Sequence, residues 1–284
     1  DGNDSADGTN WATAFQTISN AVAKAADNEG VLVSNGIYTI TAPITLAKTV
    51  TVQSVNGALV TAVVPQGSNY RILNISTGAV VDGFTLANAF YDTSGGGLYF
   101  NGGGTVKNCV ITNHYGQNGG AAYMYKGGLL DHCTISGNGA RGGAGVQCVQ
   151  GGVVRNCLIY GNRSGVFGYA GGGVRLQSGG LVESCTITGN SAADKGGGVS
   201  CEAGGIVTNT IIYGNTCDSG NSPDIYNSGG SFAYCCATSL VTGTGNTTNN
   251  PMFVNPATNN YRLGAGSSCT NAGLRQRSAA AALF

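Results

Sequence analysis

The 284-residue chain contains 49 glycines, 10 cysteines and 5 prolines, and its 13 basic and 13 acidic residues give a formal net charge of zero. Intrinsic disorder is excluded because 42% of the residues are hydrophobic, and collagen is excluded because the glycines keep no three-residue period. The charge balance argues against nucleic acid and anionic membranes as partners, and no apolar run is long enough to span a bilayer. These exclusions leave a soluble, glycine-rich β protein.

The chain begins with a polar segment that leads into an amphipathic helix. The opening DGNDSADGTN is rich in oxygen ligands, but Gly8 is misplaced for an EF-hand and Ala12 stands where such a loop needs Glu. We therefore expect no cofactor, with calcium at this segment as the alternative. Residues 9–26 are predicted to form a helix that covers the N-terminal end of the repeats that follow. Its apolar face consists of Trp11, Phe15, Ile18 and Val22.

Six segments in the middle of the chain repeat one pattern at intervals of about 25 residues. A glycine and an apolar residue are followed by two variable residues, Cys or Phe, one variable residue, and Leu or Ile. The segments are GAVVDGFTLAN, GGTVKNCVITN, GGLLDHCTISGN, GGVVRNCLIYGN, GGLVESCTITGN and GGIVTNTIIYGN. A unit of two or three short strands joined by glycine turns cannot bury its apolar face alone, so neighbouring units must stack. The repeat therefore predicts an all-β parallel β-helix with coils of about 25 residues.

Aligning the repeats produces apolar columns that we expect to line a dry interior. The first column holds Val81, Val106, Leu130, Val154, Val182 and Val207. The second holds Phe84, Cys109, Cys133, Cys157, Cys185 and Thr210. The third holds Leu86, Ile111, Ile135, Ile159, Ile187 and Ile212. A further column, from a second strand in each unit, holds Leu98, Tyr123, Val146, Val174 and Val199. Most cysteines are thus interpreted as small buried hydrophobes and not as zinc ligands.

Two polar columns are interpreted as structural. In one of them acidic and basic residues alternate, which favours cross-strand ion pairs over an acidic metal or catalytic cluster. Its members are Asp82, Lys107, Asp131, Arg155, Glu183 and Thr208. In the other, asparagines close the I-x-G-N turns of successive units and are predicted to stack on one another. They are Asn138, Asn162, Asn190 and Asn215, with Asn88 and Asn113 at nearly the same place.

Aromatic residues gather in the loops after the asparagine turns. Such loops protrude from one edge of a solenoid, where aromatic faces can stack on sugars or contact another subunit. The candidate binding residues are Phe90, Tyr91, His114, Tyr115, Phe167 and Tyr169. Neither His114 nor His132 has a nucleophile and an acid nearby in the pattern, so we expect no acid–base catalysis from them. His132 falls in a column that reads as a surface position.

The repeat weakens after Asn215, and one domain is predicted over the whole chain. Its parts are an N-terminal cap at 1–29, β-helix coils at 30–250 and a C-terminal cap or tail at 251–284. The last ten residues, RQRSAAAALF, end in two large apolar side chains that either pack back as a cap or reach a neighbouring molecule. These candidate assembly residues are Leu283 and Phe284.

Cysteines outside the repeat, together with the start of the sequence, indicate in which cellular compartment the protein is expected. Cys235, Cys236 and Cys269 are the better disulfide candidates, and their pairing, like that of Cys217, is left open by the sequence. The sequence starts at Asp1 without a signal peptide, as a processed secreted protein does. We therefore expect a secreted, extracellular or cell-surface location.

The chain resembles the right-handed parallel β-helix proteins of the pectate-lyase-like superfamily over nearly its whole length. The likeness is closest to bacterial secreted β-helix repeat proteins of the choice-of-anchor type. It rests on DGTNWATAFQTISNAV and GVLVSNGIY at the start, VVDGFTL and the N-C-x-I-x-G-N units in the middle, and NPMFVNPATNNYRL with GSSCTNAG at the end. The resemblance implies a right-handed solenoid. It also implies a function of one of the kinds found in this superfamily, which includes lyases, hydrolases, adhesins and surface proteins.

We expect a structural or adhesive protein that assembles head-to-tail into extracellular fibres, because open solenoid ends form heterologous contacts. The alternative is a carbohydrate-binding protein, a polysaccharide lyase or a glycoside hydrolase, so the expected partner is a second copy of the chain or a polysaccharide. Lyases resembling this fold hold calcium with clustered acids and use Arg or Lys as the base, whereas hydrolases use two or three acids in one cleft. The strands carry no such acid pair, which favours a non-enzymatic role. The best enzymatic candidates are Asp92, Asp194, Lys195 and Arg141.

Overall fold

The structure, a computed structural model, describes residues 2–76 and 78–273. The chain winds into an all-β parallel solenoid of about eight coils, each of about 25 residues, with one short α-helix near the N-terminus. The fold class predicted from the repeats is therefore confirmed. Three long parallel sheets form the walls of the solenoid, and a shorter fourth sheet accompanies the middle coils.

Each complete coil contributes one strand to each wall, and each strand pairs in parallel with the equivalent strands of neighbouring coils. Sheet A consists of Gly30–Val33, Thr51–Ser54, Val80–Asp82, Thr105–Lys107, Leu129–Asp131, Val153–Arg155, Leu181–Glu183, Ile206–Thr208 and Ser231–Ala233. Sheet B consists of Gly36–Ile40, Thr61–Pro65, Thr85–Ala87, Val110–Thr112, Thr134–Ser136, Leu158–Tyr160, Thr186–Thr188, Ile211–Tyr213 and Cys236–Ala237. Sheet C consists of Ile44–Leu46, Leu73–Ser76, Leu98–Asn101, Ala122–Tyr125, Val146–Val149, Val174–Ser178, Val199–Cys201 and Ile225–Asn227. Sheet D consists of Phe90–Ser94, Tyr115–Asn118, Gly139–Gly142, Arg163–Ser164, Ser191–Ala192 and Thr216–Cys217.

A single residue in the left-handed conformation turns the chain from sheet A towards sheet B. Asn108 and Asn156 have φ angles of 52° and 54°, which Asn tolerates better than most residues. The sharp turn directs the next side chain inward, so Cys109 and Cys157 are buried. The turn residues of successive coils are Gly83, Asn108, His132, Asn156, Ser184, Asn209 and Tyr234.

Ladders of similar side chains fill the interior, and the first three predicted apolar columns are all buried. All ten cysteines carry free thiols, and eight of them are buried. Burial raises the pKa of Cys148 and of Cys201 to about 12, which keeps these thiols protonated at neutral pH. Cys235 differs from the prediction, because it lies in the ladder one coil after Thr210. Its Sγ donates to the carbonyl oxygen of Val207 at 3.4 Å.

The column of alternating charges lies on the outward side of sheet A and forms the predicted ion pairs. Lys107 Nζ is 3.3 Å from Asp82 Oδ2, and Arg155 Nη2 is 3.0 Å from Asp131 Oδ2. His132, whose side chain is 62% exposed, lies beside the same Asp131 carboxylate at 2.8 Å. These acids therefore hold neighbouring coils in register and do not form an acidic cluster.

The N-terminal helix is shorter than the predicted span of 9–26. Helix α1 covers Ile18–Lys24, and Trp11–Thr13 form only a 3₁₀ turn. The Asp4 carboxylate accepts the backbone N–H and the hydroxyl of Thr17 at 2.9 and 2.8 Å. This contact holds Thr17 extended as the N-cap of α1 and separates the helix from the residues before it.

Helix α1 covers the N-terminal end of the solenoid, as the amphipathic pattern predicts. Ile18 and Val22 are both 5% exposed and join the core, whereas Trp11 is 60% exposed and lies outside it. In the opening segment, Asp7 Oδ1 accepts the Thr13 hydroxyl at 2.5 Å. Hydrogen bonds, first of all from Thr13, hold the pKa of Asp7 below its ordinary value.

Buried asparagines form the predicted hydrogen-bonded ladder along the solenoid axis. Asn138 Nδ2 donates to Asn162 Oδ1 at 2.8 Å, and Asn162 Nδ2 donates to Asn190 Oδ1 at 2.9 Å. The ladder ends on Asp224, whose Oδ1 accepts both the backbone N–H and the side-chain amide of Asn215 at 2.9 Å. The interior can therefore hold a column of amides because each amide is paired.

A two-stranded antiparallel sheet follows the last coil and packs against the outside of sheet B. It pairs Phe253–Asn255 with Asn260–Leu263. The ring of Tyr261 lies 5.5 Å from that of Tyr160 and 5.4 Å from that of Phe253. The chain after the last coil is thus held to the side of the solenoid by aromatic contacts. The proposed assembly residues lie outside the described part of the chain: Leu283 and Phe284.

Candidate functional site

The aromatic residues proposed from the sequence lie in different surroundings. Phe90 and Tyr115 are neighbours in the register of sheet D, and their rings stack with centroids 5.4 Å apart. They remain 44% and 40% exposed. Phe167 is 74% exposed in a loop, whereas the ring of Tyr169 lies 5.9 Å from the guanidinium of Arg175. The set thus contains a stacked pair, a separate exposed ring and a ring that belongs to a charged cluster.

His114 is not part of that exposed set, contrary to the sequence interpretation. It is 2% exposed; its Nδ1 accepts the backbone N–H of Ala89 at 3.0 Å, and its Nε2 lies 2.9 Å from the carbonyl oxygen of Leu86. These partners assign the proton to Nε2. Its backbone N–H donates to Asn138 Oδ1 at 2.9 Å, so His114 is the first rung of the asparagine ladder. Burial lowers its pKa to about 4, and the neutral ring has a structural role.

A row of polar and aromatic side chains follows the outward face of sheet C, one from each of its strands after the first. This sheet C row consists of Asn74, Tyr99, Tyr123, Gln147, Arg175, Ser200 and Tyr226. The register corrects the sequence alignment, in which Tyr123 shared an inward column with Leu98. Leu98 pairs with Ala122, and Tyr123 points outward, where its ring stacks on Tyr99 at a centroid distance of 5.7 Å.

The first part of the row is organised around Arg71. Its guanidinium lies over two rings, 4.7 Å from the centroid of Tyr91 and 4.6 Å from that of Tyr99. Nη1 also donates to Asn74 Oδ1 at 3.2 Å. Burial lowers the pKa of Arg71, but a guanidinium remains charged at neutral pH. The sequence candidate Tyr91 therefore belongs to the margin of the sheet C row.

The second part of the row is organised around Arg175. Its guanidinium donates Nε–H and Nη2–H to the two carboxylate oxygens of Glu202, both at 2.8 Å. Gln147 and Ser200 flank Arg175 in the register and are only 2% and 0% exposed. Gln147 Nε2 donates to Gln177 Oε1 at 2.7 Å. Within the described part of the chain, however, Gln147 Oε1 and Ser200 Oγ have no hydrogen-bond partner.

These two unpartnered atoms are the strongest local sign of a binding site. Buried polar atoms in native proteins nearly always have a partner, which can be water or a ligand. Here both atoms belong to residues that pair with Arg175 in the register of sheet C. A ligand hydroxyl placed beside Arg175 could donate to Gln147 Oε1 or exchange a hydrogen bond with Ser200 Oγ.

Glycines in the loops before the sheet C strands determine how closely the side chains of the sheet C row approach the preceding backbone. Gly143 and Gly171 have φ angles of 58° and 78°, which glycine adopts at no steric cost. A Cβ at Gly143 would lie 2.8 Å from the Cβ of Gln147, and one at Gly171 would lie 2.8 Å from the Cβ of Arg175. The glycine runs therefore let the row side chains lie close against the backbone of the preceding loop.

The chemistry of the surface suits binding. Arg71 and Arg175 supply cationic groups, and Lys195 Nζ lies 4.1 Å from the ring of Tyr226 at the far end of the row. Aromatic faces, guanidinium groups and amides can together hold hydroxyl-rich or anionic groups. The acid beside the row, Glu202, is committed to Arg175, so it is not a free partner for acid–base chemistry.

The enzymatic candidates from the sequence do not form a cluster. Asp92 and Arg141 are exposed, and Asp194 and Lys195 are half-buried. Among the described residues no hydrogen bond or ion pair joins any two of these four side chains. In the same residues no group of three or more His, Cys, Asp and Glu side chains has the arrangement of a metal site. None of the helices described has the length and apolar character to cross a membrane.

Comparison with protein-family models matches residues 35–216 to the right-handed β-helix region. The matched span is more than half of the chain and extends from the first to the eighth strand of sheet B. A search of curated proteins finds no match. Because the family match and the observed parallel coils coincide, the chain belongs to the right-handed β-helix family.

Proposed function

We propose that this protein is a secreted or cell-surface adhesive β-helix that binds an extended polysaccharide along the sheet C row. The observation that carries the proposal is the pair of unpartnered buried atoms, Gln147 Oε1 and Ser200 Oγ, on either side of Arg175. The stacked rings of Tyr99 and Tyr123 extend the same surface.

The direction of the row suits a linear polymer. Equivalent residues of stacked coils are about 4.8 Å apart, so the six steps from Asn74 to Tyr226 cover roughly 29 Å. A polysaccharide chain lying along the solenoid axis would meet ring faces in the first part of the row and hydrogen-bonding groups in the second. Adhesion, rather than cleavage, fits a surface whose acid, Glu202, is paired with Arg175 at 2.8 Å.

Affinity electrophoresis of the full chain in gels that contain neutral or acidic polysaccharides tests the proposal. Tyr123→Ala removes one stacking face, and we expect roughly a tenfold loss of affinity, the equivalent of about 1.4 kcal/mol. Arg175→Gln should weaken binding further and selectively for acidic polymers. Tyr213→Ala on sheet B is the matched control, because Tyr213 is also half-buried but belongs to another wall.

Two results would overturn polysaccharide binding at the row. One is the absence of retardation by every polymer tested, and the other is equal loss in Tyr123→Ala and Tyr213→Ala. Retardation that disappears in Tyr115→Ala but not in Tyr123→Ala would move the site to the stacked Phe90–Tyr115 pair.

End-to-end assembly is a second candidate, supported by the apolar surface of the first two coils. Ile37 is 76% exposed, Leu59 95% and Leu32 60%. The first strand of each wall pairs on one side only, and a cavity of about 980 Å³ beside Trp11 and Ile37 opens at this end. Exposed strand edges and apolar patches are typical of association surfaces.

Electron microscopy and sedimentation of the full chain test this assembly. If a second copy docks at this end, Ile37→Lys should convert fibres or oligomers to monomers, while Phe167→Lys, at an exposed loop position, should not. Fibres of unchanged length in Ile37→Lys would refute the docking surface. A monomeric parent protein at high concentration would refute assembly itself.

A further inference from the structure

Cys236 lies at a register position that faces outward from sheet B. In the preceding coils this position is half-exposed. It is occupied by Thr85, Val110, Thr134, Leu158, Thr186 and Ile211. Cys236 is only 4% exposed, because the chain that follows the last coil lies over it: its Sγ donates to the carbonyl oxygen of Asn249 at 3.0 Å.

The covering segment brings a second thiol to the same place. Cys269 and Cys236 line one cavity of about 190 Å³ on the outside of the last coil, and the Cys269 side chain lies within hydrogen-bonding reach of the Cys236 thiol. Ser267 fixes this segment, since its hydroxyl accepts the backbone N–H of Cys269 at 3.2 Å and donates to the carbonyl oxygen of Pro251 at 2.7 Å.

The neighbouring Cys235 is not an equivalent partner. Its Sγ points into the core and lies 3.4 Å from the carbonyl oxygens of Val207 and Ala233. Cys235 is 1% exposed, whereas Cys269 is partly exposed and accessible to reagents. Cys235 precedes the strand Cys236–Ala237, and its thiol is held in the core, so Cys236 is the residue of this pair whose thiol faces the C-terminal segment.

We propose that Cys236 and Cys269 form a disulfide in an oxidising compartment and that this bond fastens the C-terminal segment to the last coil. The proposal is independent of polysaccharide binding at the sheet C row. It assigns a covalent modification to two residues whose thiols are free in the structure.

Exchange with oxidised glutathione supplies the oxidant and balances the reaction. The Cys269 thiolate attacks one sulfur of glutathione disulfide, forms a mixed disulfide and releases one glutathione thiolate. The Cys236 thiol then loses its proton and attacks the Cys269 sulfur, which releases the second glutathione. Two protein thiols are oxidised and one glutathione disulfide is reduced to two thiols. Burial raises the pKa of Cys236 to about 12, so Cys269 reacts first and the closing step accelerates at higher pH.

Peptide mapping of the full chain, equilibrated with oxidised glutathione and quenched without reduction, tests the pairing. Cleavage after Arg262 separates the two cysteines, so the disulfide appears as a linked peptide that reduction splits. The bond closes a loop of more than 30 residues, and we expect reduction to lower the thermal midpoint of the parent protein by roughly 5 °C. Cys269→Ser should abolish that redox dependence, and Cys217→Ser, at another partly exposed cysteine, should keep it.

Direct detection keeps the test valid even where a variant is unstable. The linked peptide from the parent protein, together with its absence from Cys236→Ser, establishes the bond. Failure to detect it in excess oxidised glutathione overturns the proposal. Persistence of a Cys269 linkage in Cys236→Ser also overturns it, because the partner would then be another cysteine.

Discussion

The asparagine ladder makes a quantitative prediction at its central rung, Asn162. The side chain makes five hydrogen bonds: it accepts the backbone N–H and Nδ2–H of Asn138, and it donates to Ile135 O, Tyr160 O and Asn190 Oδ1. Asn162→Ala leaves the buried N–H of Asn138 without its acceptor, which costs about 1–3 kcal/mol. The other four bonds contribute up to about 1 kcal/mol each and share partners, so we expect a total loss of about 3–5 kcal/mol in the free energy of unfolding.

Asn156→Gly is the matched control for Asn162→Ala, because Asn156 is also a turn asparagine but points to solvent. Its φ of 54° is favourable for glycine. The replacement loses one exposed hydrogen bond, from Asn156 Nδ2 to Asp131 Oδ1 at 2.9 Å. We therefore expect the stability of Asn156→Gly to change by less than about 1 kcal/mol.

Urea denaturation at pH 7, followed by far-ultraviolet circular dichroism, measures both variants. A solenoid can lose cooperativity when a central coil is weakened, so the slope of the transition is compared as well as its midpoint. The reasoning is refuted if Asn162→Ala loses no more stability than Asn156→Gly with an unchanged slope. That result would mean that water or a shifted neighbour satisfies the Asn138 N–H.

Three further predictions concern pH, glycine and surface charge. The folded-state pKa of His114 is about 4, below its ordinary 6.5, so the unfolded chain binds more protons between these values and stability falls as pH drops from 6.5 to 4. His114→Asn should remove about 3 kcal/mol of this pH dependence in urea titrations at several pH values; an unchanged slope would contradict burial of the ring. Gly197→Ala should strongly lower the thermal midpoint, because its Cβ would lie 1.9 Å from Thr216 O, whereas Gly165→Ala meets nothing within 4 Å and should be neutral; equal midpoints would argue against the glycine packing. Arg155→Ala should cost less than about 1 kcal/mol at low salt, because its side chain is 44% exposed; a larger loss would mean that the ion pair does more than hold register.

The solenoid itself could be predicted because its stabilising interactions repeat at a fixed period. Inward positions such as Val106 and Ile111 recur once per coil and alternate with polar residues, which is the pattern of a strand with one buried face. The ion pair of Lys107 with Asp82 followed from the same alignment. Each of these contacts joins equivalent residues of adjacent coils, so the repeat length alone was enough to infer which residues meet.

The first rung of the asparagine ladder was missed although the signal was present. His114 lies three residues after Ile111, as Asn138 lies three residues after Ile135. The alignment favoured residue identity and placed Asn113 in the column, although Asn113 forms an exposed left-handed turn with a φ of 56°. A histidine can replace an asparagine there because its ring has one acceptor and one donor.

The sheet C row could not be predicted because it depends on register across loops of unequal length. Tyr123 was aligned with Leu98, one residue away from its observed partner Tyr99, and such a shift moves a side chain to the opposite face. The register shifts again just after Arg175: Cys148 pairs with Leu176, but Val149 pairs with Ser178. The prediction of a long N-terminal helix was wrong for another reason. The carboxylate of Asp4, which is distant in sequence, accepts the backbone N–H of Thr17 and makes this residue the N-cap of a shorter helix.

The asparagine ladder also has a direction. Each amide from Asn138 to Asn215 donates towards the following coil, so the amide dipoles add along the solenoid as peptide dipoles add in a helix. Their positive end meets the carboxylate of Asp224 and their negative end meets the backbone N–H of His114. The column of amides therefore has a net dipole along the solenoid axis, and a group of opposite charge lies at each end: the Asp224 carboxylate and the His114 backbone N–H. A coil inserted between His114 and Asp224 would lengthen the asparagine ladder, whereas a coil added beyond Asp224 would have to begin a new ladder.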